Sequence, residues 1–222
     1  PKQAIEKYGD QWVLPGNFVG NGPFVLSEWT PQDKIVMVKS ETYWDKDNVK
    51  LDEVVFYASD DDNTNYNMYI AGDVDWLTSI PSDKLDGAMM RDDYQVAPQL
   101  SVYYYTIQNE RAPFDDARVR KALALAIDRQ TLVDEITKAG QIPTWGIVPE
   151  MAGYEPLAFP FDGDQDDMIA EAQRLLAEAG YPNGVGFPSF NLLYNTNDAH
   201  KLIAEYVQQQ WKTNLGIDCV LE

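Results

Sequence analysis

Cysteine and histidine occur once each in this 222-residue chain, as Cys219 and His200. A single thiol forms no internal disulfide and supplies no paired-thiolate metal site, and a single imidazole excludes zinc sites built on paired histidines. So little cysteine fits an exported bacterial protein. Basic residues are scarce as well: 17 Lys and Arg stand against 36 Asp and Glu, a net charge of −19. A chain this acidic repels phosphate backbones and anionic lipid, which argues against nucleic-acid binding. Apolar runs near the roughly 18 residues that span a bilayer are missing too, so no direct membrane insertion is expected. Neither a GxSxG elbow nor a P-loop occurs, and no internal repeat or low-complexity segment is present. Pro1-Lys2-Gln3 does not look like a natural start, and the chain stops at Glu222 just after strand-like residues 217–221. The expectation is an internal piece of a longer polypeptide.

What is present is ordinary for a globular protein: 45% hydrophobic and 24% charged residues. The pattern predicts a short helix over 3–8, then loop punctuation at Gly16, Gly20, Gly22 and Pro23. Strands follow over 24–29 and 34–39, with a hairpin-sized gap between them, and over 51–57. Asp60-Asp61-Asp62 supplies caps for a helix over 65–71 that Gly72 ends. A strand over 74–77 and a helix over 81–90 complete a mixed α+β region.

The next stretch, 100–129, reads as strand, loop and helix. Val102, Tyr103, Tyr104 and Tyr105 favour a pleated strand over 100–108. Asp115 or Asp116 can cap a helix over 116–127, where Val119, Ala122, Leu123, Ala126 and Ile127 recur at three- and four-residue steps as one buried stripe. A second helix is predicted over 130–139, capped by Asp128 and stopped by Gly140. Residues 141–166 are loop-rich, with Pro143, Pro149, Pro156 and Pro160 and the aromatics Trp145, Tyr154, Phe159 and Phe161. Asp166 or Asp167 then opens a helix that Gly180 ends. A strand over 191–194 and a helix over 198–215, terminated by Gly216, complete the pattern.

Few residues single themselves out for chemistry. The run from Asp162 to Asp167 imitates a calcium loop, but that loop needs glycine sixth and glutamate twelfth, where Asp167 and Gln173 stand. Helix capping is the better reading. Gly184-Val185-Gly186 lacks the preceding strand and third glycine of a dinucleotide loop. His200 could join a triad only with partners that the sequence does not reveal, and no two of the 36 acids stand out as a glycosidase pair. An enzyme is therefore the weaker class. The 13 tyrosines and 6 tryptophans suit a recognition surface, although most such rings belong to cores.

Taken together, the motifs resemble the peptide/nickel-type family of extracellular solute-binding proteins, the receptors of bacterial ABC importers. Gly20-Asn21-Gly22-Pro23-Phe24 with Trp29 is similar to that family's GTGPY…W segment. Lys39 through Tyr43-Trp44 is similar to RNxxYW, and Ala71-Gly72-Asp73-Val74-Asp75 to xGEID. Pro113-Phe114 to Arg129 matches PFxDxRVRxALxxAIDR, and Leu175 to Pro182 matches LLxEAGYP. Within the family, the three-tyrosine run and Leu193-Tyr194-Asn195-Thr196 with Asp198 and His200-Lys201 look most like the oligopeptide-binding branch.

The resemblance implies an α/β fold of the mixed α+β kind. Its architecture would be two-lobed, like a type II periplasmic-binding protein, with only part of each lobe present. Residues 1–99 would be the later part of the first lobe, and residues 100–222 a hinge strand and the beginning of the second. It also implies an extended oligopeptide held between the lobes, a membrane permease as partner, a monomer, no cofactor or metal, and residence in the periplasm or on the outer cell surface. Leu77 and Thr78 would lie on the first lobe's cleft loop, while Tyr103, Tyr104 and Thr106 would line the hinge side. His200 would approach the peptide carboxylate. Where some relatives use a lysine for that carboxylate, Thr137 stands here with Lys138 beside it. Another solute (a dipeptide, nickel chelate, opine or oligosaccharide) remains open, as does a hydrolase or plain interaction domain.

Overall fold

The computed structural model describes residues 1–97, 99–154 and 163–222. They form two compact units, Pro1–Met68 and Tyr69–Glu222.

The first unit opens with helix α1 (Lys2–Tyr8) and a 3-10 turn, Gly9–Val13. Strands β1 (Phe24–Thr30), β2 (Lys34–Lys39) and β3 (Glu53–Tyr57) then make an antiparallel meander in sequence order. Its register sets Trp29, Ile35 and Phe56 side by side on one face, with Leu26, Met37 and Val54 along the same face. Val36, on the opposite face, is the buried centre of the sheet, while Trp29 and Phe56 stay exposed. A bulge between Leu26 and Glu28 shifts the β1–β2 register. Helix α2 (Asp62–Ala71) begins under the side chain of Asp61, which accepts the Thr64 N–H at 2.6 Å, and it runs across the division between the units.

The second unit contains the main core. Helix α3 (Leu85–Met89) is shorter than the sequence pattern predicts. Helix α4 (Ala117–Leu125) starts at the expected cap, Asp116, which accepts the Arg118 N–H at 2.8 Å. The predicted stripe is the core itself: Val119, Ala122, Leu123 and Ala126 are buried, together with Leu125. Helix α5 (Arg129–Thr131) continues as a π-helical stretch, Leu132–Thr137, and stops at Lys138, whose φ is 55°, two residues before the expected Gly140. Helix α6 (Gln165–Glu178) is capped by Asp164 rather than by Asp166 or Asp167. Strand β4 (Phe190–Leu192) pairs in parallel with β5 (Cys219–Leu221), and helix α7 (Asp198–Leu215) joins them.

Helices α4, α6 and α7 bury one another through Ala172, Leu175 and Leu176 on α6 and Ile203, Ala204, Val207, Trp211 and Leu215 on α7. Phe114, Phe187 and Phe190 close one side with edge-to-face rings 5.0–6.1 Å apart. Gly184 and Gly216 meet backbone to backbone. A Cβ on Gly184 would stand 2.3 Å from the Gly216 carbonyl oxygen, and both residues have positive φ, so no larger residue fits either position.

Polar side chains finish what packing starts. The last carbonyls of α4 lack helical partners, as at any helix C-terminus. Six consecutive carbonyls, Leu123 to Asp128, are met by side chains, and that of Asp128 also accepts the Leu132 N–H. Trp211 Nε1 donates to Leu123 O at 2.9 Å, Gln165 to Leu125 O, Asn214 to Ala126 O and the Tyr206 hydroxyl to Asp128 O at 2.9 Å. Arg129 donates to Ala124 O and Ile127 O. Burial lowers the Arg129 pKa to about 10, and its guanidinium lies 3.7 Å over the Trp145 ring.

Two predicted strands are corrected. Residues 74–77 and 101–108 are irregular, with no ladder. Alternating side chains favour a strand, but a strand also needs a neighbour to pair with, and none of the described residues supplies one. The third short strand sits one residue earlier than expected, at Phe190–Leu192. Pro156, Phe159, Pro160, Phe161 and Asp162 lie outside the described residues.

Two substitutions test this core. Leu123→Ala is expected to cost about 2–5 kcal/mol, because its side chain is fully enclosed. Trp211→Phe keeps most of the ring but orphans Leu123 O, for about 1–3 kcal/mol. Urea titration measures both; losses under about 1 kcal/mol would show that the helices are not tied in this way.

Candidate functional site

The residues singled out for binding all fall in the second unit. Leu77 and Thr78 sit in the irregular stretch after α2, Leu77 half-buried and Thr78 exposed. Tyr103, Tyr104 and Thr106 belong to the extended segment 101–108. Its side chains divide by burial: Val102, Tyr105 and Ile107 are half-buried, while Tyr103, Tyr104 and Thr106 are exposed. Tyr105 packs against the helical core, and that contact holds the segment on the unit.

Tyr103 lies on the same side of the chain as Tyr105, and their rings meet edge-on at 5.7 Å. The other side of the Tyr103 ring meets His200 at 5.1 Å, again edge-on. The structure thus brings together two of the eight predicted residues that lie nearly a hundred positions apart in sequence. Among the described residues, no hydrogen bond or ring contact joins any other pair of the eight. Tyr104 is exposed and points away from its two neighbours, as alternation along an extended chain requires.

His200 is held from several directions. It lies in the first turn of α7, where the side chain of Asn197 accepts its backbone N–H at 3.0 Å. Its ring Nδ1 is hydrogen-bonded to Oδ1 of Asn195. Asn195 follows Tyr194, whose N–H continues the β4–β5 pairing by donating to Glu222 O at 3.0 Å. The imidazole is therefore positioned by both the sheet and the helix. At an 18-residue helix N-terminus the backbone dipole adds partial positive charge, which favours an anionic ligand group.

Thr137 and Lys138 end the π-helical stretch. The Thr137 hydroxyl donates to Gln141 Oε1 at 2.8 Å, and the Lys138 N–H donates to Val133 O at 2.9 Å. The Thr137 hydroxyl and the Lys138 backbone thus close that stretch. Tyr105 was not among the predicted residues. Its hydroxyl is enclosed without a hydrogen-bond partner among the described residues, and burial pushes its pKa well above the ordinary tyrosine range. The run Asn195-Thr196-Asn197, dense in side-chain acceptors ahead of a helix, was the legible signal for the two asparagines.

Comparison with known proteins identifies the family. The family model of bacterial extracellular solute-binding proteins, family 5 Middle, matches residues 1–222. The chain belongs to that family. It is 36% identical over 226 residues to the periplasmic oligopeptide-binding protein OppA of Escherichia coli, covering all of this chain and 41% of OppA. The chain thus spans well under half the length of the curated relative it matches. Among solved structures, an oligopeptide-binding protein of Borrelia burgdorferi superposes with a TM-score of 0.90 at 38% identity, over all of this chain and 44% of that one. The E. coli murein tripeptide-binding protein MppA gives 0.91 at 36% identity with the same coverage. The unliganded open form of MppA gives 0.57 over the same shares of the two chains. These neighbours share the mixed helix-and-strand fold, of which this chain is a part. Among the described residues, no helix is long and apolar enough to cross a membrane.

Two tyrosines give opposite outcomes. Tyr105→Phe removes a hydroxyl that has no partner and should leave stability unchanged or raise it. Tyr206→Phe removes the donor to Asp128 O and should cost about 0.5–1.5 kcal/mol. Partial burial and then the negative charge of Asp128 push Tyr206 up to about 12 from 10.0. A raised folded-state pKa means that stability present below pH 10 is lost as pH rises towards 12. Alkaline urea titrations should show that loss in the wild type and a shallower one in Tyr206→Phe; equal slopes would remove Tyr206 from the account.

Proposed function

We propose that this chain is part of the substrate-binding component of a bacterial ABC importer, which captures extended oligopeptides and delivers them to a membrane permease. The observation that carries the reading is the contact of Tyr103 with His200 at the N-terminus of α7. It joins an exposed aromatic row to an imidazole in a site suited to a peptide's carboxylate end. Each relative reported above is itself named as a peptide binder, which favours a peptide over a nickel chelate, opine or oligosaccharide.

In this reading the boundary between two lobes lies near Leu100, and residues 101–108 cross between them. Residues 1–99 belong to the first lobe and 100–222 begin the second. The poorer superposition on the unliganded open form of MppA, 0.57 against 0.91, supports two bodies that close on a ligand. The receptor acts in the periplasm or anchored outside the cell, as a monomer, and carries out no catalysis.

The physical basis is main-chain capture. A bound extended peptide must satisfy its own N–H and C=O groups, which extended protein segments can do, while roomy aromatic pockets accept varied side chains. Residues 101–108, in no ladder among the described residues, offer such a backbone, and the exposed Tyr103 and Tyr104 offer aromatic surface. Leu77 and Thr78, which precede Leu100 although they belong to the compact unit Tyr69–Glu222, contribute as part of the first lobe in this reading. Thr137 and Lys138 stand where a relative's lysine would meet the carboxylate, so His200 takes the larger share of that contact.

Affinity in a closing receptor comes from burying the ligand between two faces. Calorimetry with a mixed tri- to pentapeptide library should therefore show tight binding to the full-length receptor and weak or no binding to residues 1–222. Micromolar or tighter binding to the 222-residue chain would overturn the lobe assignment. In the full-length receptor, His200→Ala should weaken peptides whose carboxylate reaches the imidazole and spare those of other lengths. A uniform effect across lengths would refute the assigned role.

A further inference from the structure

We infer that Asn195 is the positioning residue that decides which nitrogen of His200 faces the ligand. This rests on the peptide-binding reading of His200, but its central observation does not. The ring Nδ1 is hydrogen-bonded to the side-chain oxygen of Asn195. A carboxamide oxygen only accepts, so Nδ1 must carry the hydrogen. The neutral ring is then the Nδ1–H tautomer, and Nε2 is the nitrogen left for a ligand.

The surroundings make this orientation stiff. The His200 N–H is fixed on Asn197 at 3.0 Å, and the Tyr103 ring stands edge-on to the imidazole at 5.1 Å. Backbone, Nδ1 and ring face are each held by a different residue. Asn195 is held in turn by its place next to Tyr194 at the end of the β4–β5 ladder. Of the groups around the ring, Tyr103 is the titratable one in ring contact, and Asp198 and Lys201 are the charged neighbours on α7.

The arrangement has a specific chemical consequence. Neutral His200 offers a lone pair at Nε2 and accepts a hydrogen bond. The imidazolium instead donates from Nε2 to a carboxylate, while Nδ1–H stays on Asn195 in both states. Proton gain therefore changes the outward atom alone, and the ring need not turn. A ligand carboxylate at this position accepts a hydrogen bond from Nε2–H of the imidazolium.

Because His200 is the only histidine of the 222-residue chain, ¹⁵N-histidine labelling gives a single imidazole to observe. Its two ring-nitrogen shifts, measured where the ring is neutral, report the tautomer directly. The expected result is the Nδ1–H pattern in the wild type, its loss in Asn195→Leu in favour of the Nε2–H form, and its return in Asn195→Asp, whose carboxylate also accepts. An Nε2–H pattern in the wild type, or the same tautomer in wild type and Asn195→Leu, would overturn the inference. Should Asn195→Leu fail to fold, the wild-type spectrum alone decides. Tripeptide binding by the full-length receptor is measured separately. Its absence would sink the peptide reading and leave the tautomer result standing.

Discussion

Everything in the second unit depends on how the end of α4 is closed. A buried helix terminus strips its last carbonyls of water, and each unpaired one costs about 1–3 kcal/mol. Here the chain leaves α4 and turns at once into α5, so among the carbonyls from Leu123 to Asp128 helical partners run short; that of Asp128 still accepts the Leu132 N–H. Side chains from three places in sequence serve these carbonyls: Gln165 on α6, Tyr206, Trp211 and Asn214 on α7, and Arg129 from the turn itself. Apolar packing brings the three helices together, yet it is non-directional and tolerates sliding. The hydrogen bonds fix the register, because the donors on α6 and α7 each reach one of these carbonyls and Arg129 ties two more.

That constraint explains what the most specific sequence motif does. Pro113 to Arg129 carries the most specific resemblance, and its residues build the fold. Asp116 caps α4, and Arg120 donates to Phe114 O at 2.7 Å, tying down the loop before it. Asp128 caps α5 through the Thr131 N–H and hydroxyl. Arg129 pins two carbonyls beneath Trp145. A guanidinium so buried keeps its charge at neutral pH even with its pKa lowered to about 10. Replacing it by lysine would exchange a planar fork for a single point donor and give up the stacking on Trp145.

Helices were legible in the sequence because their signals are local. An apolar stripe on α4, an asparagine ahead of α7 and Gly216 at its end state start, face and stop without reference to the rest of the chain. Segments 74–77 and 101–108 misled for the opposite reason. Val102 to Tyr105 suit a strand, but pairing is a property of two segments, and alternation in one cannot reveal whether the other is there. The π-helical end of α5 was equally hidden, since Lys138 at positive φ does what Gly140 advertised. Within the site, His200 and Tyr103 could be named from resemblance. Tyr105 and Asn195 could not, because their roles arise from which neighbours the fold sets beside them.

The two halves of the site differ in how firmly they are held. His200 sits at one end of α7 and Trp211 lies 11 residues further on, about 16 Å along the axis. The bond from Trp211 to Leu123 O anchors that far end in the core, so the imidazole inherits its place from a packed, hydrogen-bonded framework. Tyr103 rides instead on a segment with no ladder, held by Tyr105 against the core. A binding site needs its orienting group fixed to within a fraction of an ångström, whereas an aromatic platform works with looser placement. The fold assigns these demands accordingly. In the proposed site the directional group is on the helix, and the aromatic surface is on a segment that joins no ladder among the described residues.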